Sequence, residues 1–175
     1  MKADLRKETL KRMHGLSPED KARMDDQLLA AFLDHPAYQA ADVIATYLNM
    51  DHEFSTAALI ARAQKDGKRV CIPKTYPKGK MIFVDYDEDA LQPTKFGLLE
   101  PMSDQAVDKA EIDLIHVPGV VFNERGFRIG YGAGYYDRYL ADYKGRTLST
   151  IYPVQVGAFD QEPHDVAVQE VLIGD

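Results

Sequence analysis

The residues best suited to chemistry are Gly126-Phe127-Arg128-Ile129-Gly130-Tyr131-Gly132-Ala133-Gly134-Tyr135-Tyr136-Asp137. Gly130, Gly132 and Gly134 alternate and lead straight into residues with helical spacing. Glycine reaches positive φ without a Cβ clash and lets backbone N–H groups approach a ligand. A run of such amides at a helix start makes an anion nest, and phosphate is the obvious guest. The segment is not a P-loop, because no Gly-Lys-Ser/Thr follows. It also fails the dinucleotide fingerprint, since Tyr135 stands where the last glycine would be. By spacing alone, a plain glycine-rich turn fits at least as well as a phosphate site.

The residues that follow refine the picture. Tyr136, Tyr139, Leu140 and Tyr143 fall at i, i+3, i+4 and i+7, one apolar stripe of a helix, so Tyr136 and Tyr139 read as core. Tyr135 lies about 100° around that helix and is freer to face a ligand. Asp137, in the first turn, either complements the helix dipole or holds Mg²⁺ together with phosphate oxygens, and both readings stay open. No Ser-His-Asp or Cys-His set offers a protein nucleophile.

The elements that must position this loop can be read on either side of it. Lys2–Met13 reads as an exposed helix with Leu5, Leu10 and Met13 as a partial stripe. Ser17-Pro18-Glu19-Asp20 is a helix start, and the helix with Leu28, Leu29 and Phe32 stops before Pro36. Val43–Leu48 reads as a buried strand, followed by a helix capped by Ser55, carrying Leu59, Ile60 and Ala63, and ended by Gly67. Arg69–Ile72 is the next strand, ended by Pro73, which makes a βαβ unit and a parallel sheet there. Strands are also expected at Met81–Tyr86, Asp113–Val117, Leu148–Tyr152 and Val171–Ile173, with a turn-rich connection at Asp87–Pro101 and a helix at Tyr135–Tyr143. The expected fold is α/β, a single domain over residues 1–175, with a mixed, largely parallel sheet flanked by helices in a Rossmann-like three-layer α/β/α arrangement.

Composition narrows the partners. With 175 residues the chain can bury a sizeable core without staples. The net charge of -7 argues against a nucleic-acid binder, which would show a basic footprint. A few cations gathered in one cleft can still bind a small anion, so the placement of Lys2, Arg6, Lys74 and Arg128 matters more than their number. Cys71 is the single cysteine, which excludes an internal disulfide. No apolar run approaches the ~18 residues of a membrane span, and the charged N-terminus lacks the apolar stretch of a secretory signal. The expectation is a cytoplasmic monomer that contacts neither nucleic acid nor membrane.

Pro118-Gly119-Val120-Val121-Phe122, then Gly126-Phe127-Arg128-Ile129-Gly130, then Gly-x-Gly-Tyr-Tyr-Asp ending at Asp137 resembles the long signature of the 5-formyltetrahydrofolate cyclo-ligases, also called methenyltetrahydrofolate synthetases. Further landmarks recur in order along nearly the whole chain: Lys2-x-x-x-Arg6, Tyr47-Leu48 with Glu53 and Thr56, Ile72-Pro73, Phe96-Gly97 with Glu100-Pro101, and His164-Asp165.

The resemblance implies ATP-dependent conversion of 5-formyltetrahydrofolate to 5,10-methenyltetrahydrofolate, with Mg²⁺ as cofactor and ADP and phosphate released. It implies that Lys2 and Arg6 contact ATP phosphates; without it they read as a solvated basic face. It implies that Arg128, Ile129, Gly130, Tyr131, Gly132, Ala133, Gly134, Tyr135 and Tyr136 wrap the nucleotide, with Tyr131–Tyr135 also touching the folate. Leu48 and Glu53 would contact the pterin, Asp137 and Asp165 would bind Mg²⁺, and Lys74 would either meet a folate carboxylate or stay solvated. Tyr131 stands where many relatives have arginine, Ala133 where glycine or lysine is usual, and Gln169 where aspartate is frequent. Tyr131 gives up a possible phosphate contact and supplies an aromatic face for pterin or adenine. The competing readings are a nucleotide- or folate-binding regulatory module without turnover, and a phosphosugar-type isomerase, which would need a base near the glycine loop that the sequence does not show.

Overall fold

The structure is a computed structural model that describes residues 1–94 and 98–175; Phe96 and Gly97, expected as landmarks, lie outside the described residues. Its centre is a sheet of six strands: β1 (Val43–Ala45), β2 (Arg69–Tyr76), β3 (Lys80–Asp85), β6 (Leu114–His116), β9 (Arg146–Ile151) and β10 (Glu170–Ile173). Their order across the sheet is β10-β9-β6-β1-β2-β3. Every pairing is parallel except that of β2 with β3. The other strands form two small hairpins, β4 (Leu91–Pro93) with β5 (Leu99–Pro101), and β7 (Val121–Phe122) with β8 (Arg128–Ile129).

Side-chain alternation along the strands builds two cores. Ile44, Val70, Leu114 and Leu148 point to one face, where Phe32 of α2 (Pro18–Asp34), Tyr38 of α3 (Pro36–Ala40) and Leu59 and Ile60 of α4 (Ala57–Lys65) cover them. Ala45, Cys71, Ile115 and Ile151 point to the other, against Phe122 and against Tyr139 and Leu140 of α5 (Tyr135–Leu140). Helices thus flank both faces, as the alternation of strand and helix signals predicted. Helix α1 (Lys2–His14) lies on the β7–β8 hairpin, packing Leu5, Leu10 and Met13 against Val120, Val121 and Ile129.

The chain runs from β1 through α4 to β2 on one side, and from β6 to β9 and β10 on the other. The direction therefore reverses between β1 and β6, and the connections leaving their C-terminal ends diverge there. Such a switch point opens a crevice at the ends of the strands.

Several boundaries differ from the sequence reading. Strand β1 stops at Ala45, although the Thr46 amide still donates to the Cys71 carbonyl at 2.9 Å; the Thr46 hydroxyl meets the buried His116 ring at 2.9 Å. Ser55 does not cap α4. Thr56 holds that place and gives its hydroxyl to the Tyr47 carbonyl at 2.6 Å. Pro73 does not end β2. At that point β1 has already finished and β2 pairs only with β3, so no ladder bond needs the missing N–H. Helix α5 ends at Leu140, three residues short of Tyr143, whose hydroxyl instead reaches the Ile112 carbonyl at 2.8 Å.

Candidate active site

The hairpin β7–β8 delivers the glycine loop. Its turn is built by Asn123, whose Oδ1 accepts the amides of Arg125 and Phe127 at 3.0 Å. Gly126 completes it at φ 85°, and a Cβ there would meet the Val168 carbonyl oxygen at 2.3 Å, so both the turn and the close approach demand glycine. Residues 130–134 follow, and Gly134 enters α5 in the left-handed region at φ 71°.

Three side chains hold this loop without using its amides. Arg6 of α1 donates from Nε to the Gly130 carbonyl at 2.7 Å, and Arg138 donates to the Ala133 carbonyl at 2.6 Å. The Tyr131 hydroxyl lies 3.2 Å from Glu53 Oε2 and 2.8 Å from His52 Nε2. The backbone N–H groups of 131–134 donate to no described residue, which leaves them available to an anion.

Below the loop is a cleft of about 320 Å³, within the range of small-molecule sites. Lys2 and Arg6 border it from α1, Arg128 and Ile129 from β8, Gly130–Gly134 from the loop, and Tyr135, Tyr136 and Asp137 from α5. Pro118, His164 and Asp165 close it.

Arg128 is the electrostatic centre of this cleft. Only 7% of it is exposed, its Nε finds no partner, and its guanidinium makes no hydrogen bond or ion pair with any described residue. Burial pulls its pKa down, and Asp137 and Asp165 oppose that by their charge. The Tyr136 ring centre lies 5.2 Å from its guanidinium carbon. A buried cation left unpaired by its own protein is arranged for an anion that comes from outside.

The two acids sit in the same cleft, each accepting a backbone amide, and Asp165 Oδ1 also lies 3.5 Å from His164 Nε2. Asp137 Oδ1 accepts the Val166 amide at 3.2 Å, and Asp165 Oδ2 accepts the Glu162 amide at 2.8 Å. Lys2 Nζ stands 3.8 Å from Asp165 and 3.4 Å from Glu162. Among the described residues no three His, Cys, Asp or Glu side chains gather as a metal cluster. Two carboxylates beside a cation-lined cleft nevertheless suit Mg²⁺, which takes one or two carboxylates and completes its shell with phosphate oxygens and water. The residues present fit that ion.

A family model described as the 5-formyltetrahydrofolate cyclo-ligase family matches residues 1–174. The chain belongs to this family.

Relatives agree with that placement. A mouse 5-formyltetrahydrofolate cyclo-ligase is 31% identical over 99% of this chain and 94% of its own length. The Escherichia coli K12 protein of the same name is 30% identical over 76% of each chain. Among solved structures, a 5,10-methenyltetrahydrofolate synthetase from Mycoplasma pneumoniae superposes with TM-score 0.80 at 26% identity, covering 98% of this chain and 97% of that one. The one from Aquifex aeolicus gives TM-score 0.85 at 28% identity, covering 98% and 89%.

In this cyclo-ligase family member the structure brings together Lys2, Arg6, Arg128, the loop Ile129–Tyr136, Asp137 and Asp165, which the sequence singled out. Glu53 joins them through Tyr131: its carboxylate is buried, takes the Met50 amide on Oε1 at 2.8 Å and the Tyr131 hydroxyl on Oε2. Burial raises its pKa, against the pull of those two donors. Leu48 does not reach the cleft. It lines a separate groove with Ile60 and Tyr86 and packs on the core under α4. Lys74 is neither solvated nor near the cleft, since it is pinned to the Met102 and Ser103 carbonyls and to Asp104. Sequence reasoning missed His52 and Glu162. His52 adjoins Glu53 and Glu162 lies in the Glu-Pro-His-Asp run, but only the fold shows that they face the loop.

Proposed function

We propose that this chain closes the ring of 5-formyltetrahydrofolate to give 5,10-methenyltetrahydrofolate at the expense of ATP, with Mg²⁺ as the metal. The observation that carries the reading is Arg128, a buried guanidinium without a protein partner, set under a loop of free amides and beside two carboxylates.

The chemistry explains the parts. A formyl oxygen on N5 is a poor leaving group, so N10 cannot displace it directly. Transfer of the γ-phosphoryl group to that oxygen, with ADP departing, turns it into phosphate. N10 then forms its bond to the formyl carbon, loses its proton, and phosphate leaves with the C–O electron pair. Such transfer asks for positioning and charge neutralisation rather than for a protein nucleophile.

In this scheme Arg128 and the amides of 131–134 hold phosphate oxygens. Lys2 and Arg6 add positive charge from α1, while Arg6 also fixes the loop through the Gly130 carbonyl. Asp137 and Asp165 would hold Mg²⁺, which supplies charge neutralisation across the phosphate oxygens. Glu53, a buried carboxylate on the far side of the loop, suits the adjacent N–H donors of a pterin ring. Leu48, which the resemblance assigns to the pterin, lies in a separate groove with Ile60 and Tyr86.

The experiment uses 5-formyltetrahydrofolate carrying ¹⁸O in the formyl group, with MgATP. The label is expected in the released phosphate. Label recovered in water instead would contradict phosphorylation of the formyl oxygen.

A further inference from the structure

We propose that Tyr131 is a positioning residue, a clasp that fastens the tip of the glycine loop to Glu53 and His52 and so fixes loop and carboxylate in one arrangement. The role for Glu53 rests on the reaction proposed above; the clasp itself does not.

The hydrogen bonds have only one consistent direction. Glu53, when ionised, only accepts, so the Tyr131 hydroxyl, 3.2 Å from Oε2, donates to it. The hydroxyl oxygen is then left to accept from His52 Nε2–H at 2.8 Å, which sets the His52 tautomer. His52 is placed in turn by His14 of α1, whose ring centre lies 4.5 Å away. The clasp thus ties together α1, the segment that leaves β1, and the glycine loop, which are remote in sequence.

Apolar burial does not account for the position of the ring. Tyr131 is 45% exposed and sits among exposed loop neighbours. The hydroxyl bonds are what bring it there. Glycines stand on either side, and Gly132 has φ 108°, so the backbone by itself does little to hold the tip. On the other partner, Glu53 is held at both oxygens, by the Met50 amide and by Tyr131.

Removing the hydroxyl has a predictable electrostatic sign. Burial raises the Glu53 pKa, and the Met50 amide, the Tyr131 hydroxyl and Lys21 of α2 lower it. Tyr47, Tyr136 and Tyr152 also face this carboxylate, and His14, Asp51 and Lys21 face His52. Without the Tyr131 donor the carboxylate protonates at higher pH, so any binding that needs its charge fails sooner on acidification.

Tyr131→Phe keeps the ring and deletes the bonds, and two measurements read it. In the ligand-free protein, the NMR order parameters of the backbone amides of 131–134 should drop from the rigid range, about 0.85, toward the flexible range below about 0.6. In steady-state turnover, the acid limb of kcat/KM for 5-formyltetrahydrofolate should move to higher pH. Lower order parameters with a shifted limb are the expected result. Unchanged order parameters overturn the clasp, and an unmoved limb overturns the positioning of Glu53. If the parent protein fails to turn over the folate, the reaction reading falls, and the order parameters still decide the clasp.

Discussion

Replacing Arg128 by methionine should make the ligand-free protein more stable and the ATP complex much weaker. In the ligand-free chain the guanidinium is buried, its Nε is unpartnered, and it meets no described acceptor. A buried donor left without a partner costs about 1–3 kcal/mol. Methionine fills a similar volume with no such debt, although Asp137 and Asp165 then lose a neighbouring positive charge, with Lys2 remaining 3.8 Å from Asp165. The balance should be a gain of about 1–2 kcal/mol, which for a chain of this size raises the melting temperature by roughly 2–8 °C. In the complex the same change removes a charge-assisted contact worth about 1.5–3 kcal/mol, an ATP affinity about 10- to 150-fold lower. Thermal unfolding without ligand, and calorimetric titration with ATP and Mg²⁺, measure the two effects on one sample. A variant that melts lower than the parent yet binds ATP equally well would refute the reasoning and make Arg128 a packing residue.

The other expectations follow from the same geometry. Asp137→Asn should raise the Mg²⁺ concentration needed for half-maximal turnover while leaving folate binding nearly intact; an unchanged Mg²⁺ titration would return Asp137 to holding the Val166 amide alone. Lys2→Met, in untagged protein, should weaken ATP binding by about 10-fold at low salt, and less at high salt, because Lys2 is a partly exposed cation. Equal affinity would leave Lys2 as the partner of Glu162 and Asp165. His116 is buried between Thr46 and Thr150, and burial depresses its pKa to about 3. The unfolded chain therefore takes up this proton first: the contribution to stability is complete above about pH 6.5 and drains away as pH falls toward 3. Between pH 6.5 and 5 this amounts to about 2 kcal/mol. Urea titrations of the parent and of His116→Gln should differ by that slope; parallel curves would contradict it.

Much of the fold was legible because its signals are local. Ser17 accepts the Asp20 amide at 3.1 Å as a cap should, and β1, α4 and β2 form the expected parallel unit. What escaped depends on distant partners. Nothing near Thr46 in sequence says that its hydroxyl will meet His116, and nothing near Pro73 says that β1 will have ended. The two-residue strands β7 and β8 are too short to show a period. In the site, the family signature rather than the residue types singled out the loop, its cations and its acids: by spacing alone the glycines fitted a plain turn, Lys2 and Arg6 a solvated face, and Asp137 a partner of the helix dipole. The meeting of Glu53 and Tyr131 joins residues 78 positions apart, and a lone Glu or Tyr does not announce its partner. Leu48 lies in a separate groove and packs on the core under α4, which its place at a strand end does not reveal.

The most direct test of the account is to mix purified protein with 5-formyltetrahydrofolate and MgATP and follow the methenyl chromophore and ADP together. The account predicts that both appear, one ADP for each ring closed, and that omitting ATP abolishes the chromophore. A protein that binds both ligands and forms neither product would contradict it, and would leave this cleft as a binding module without turnover.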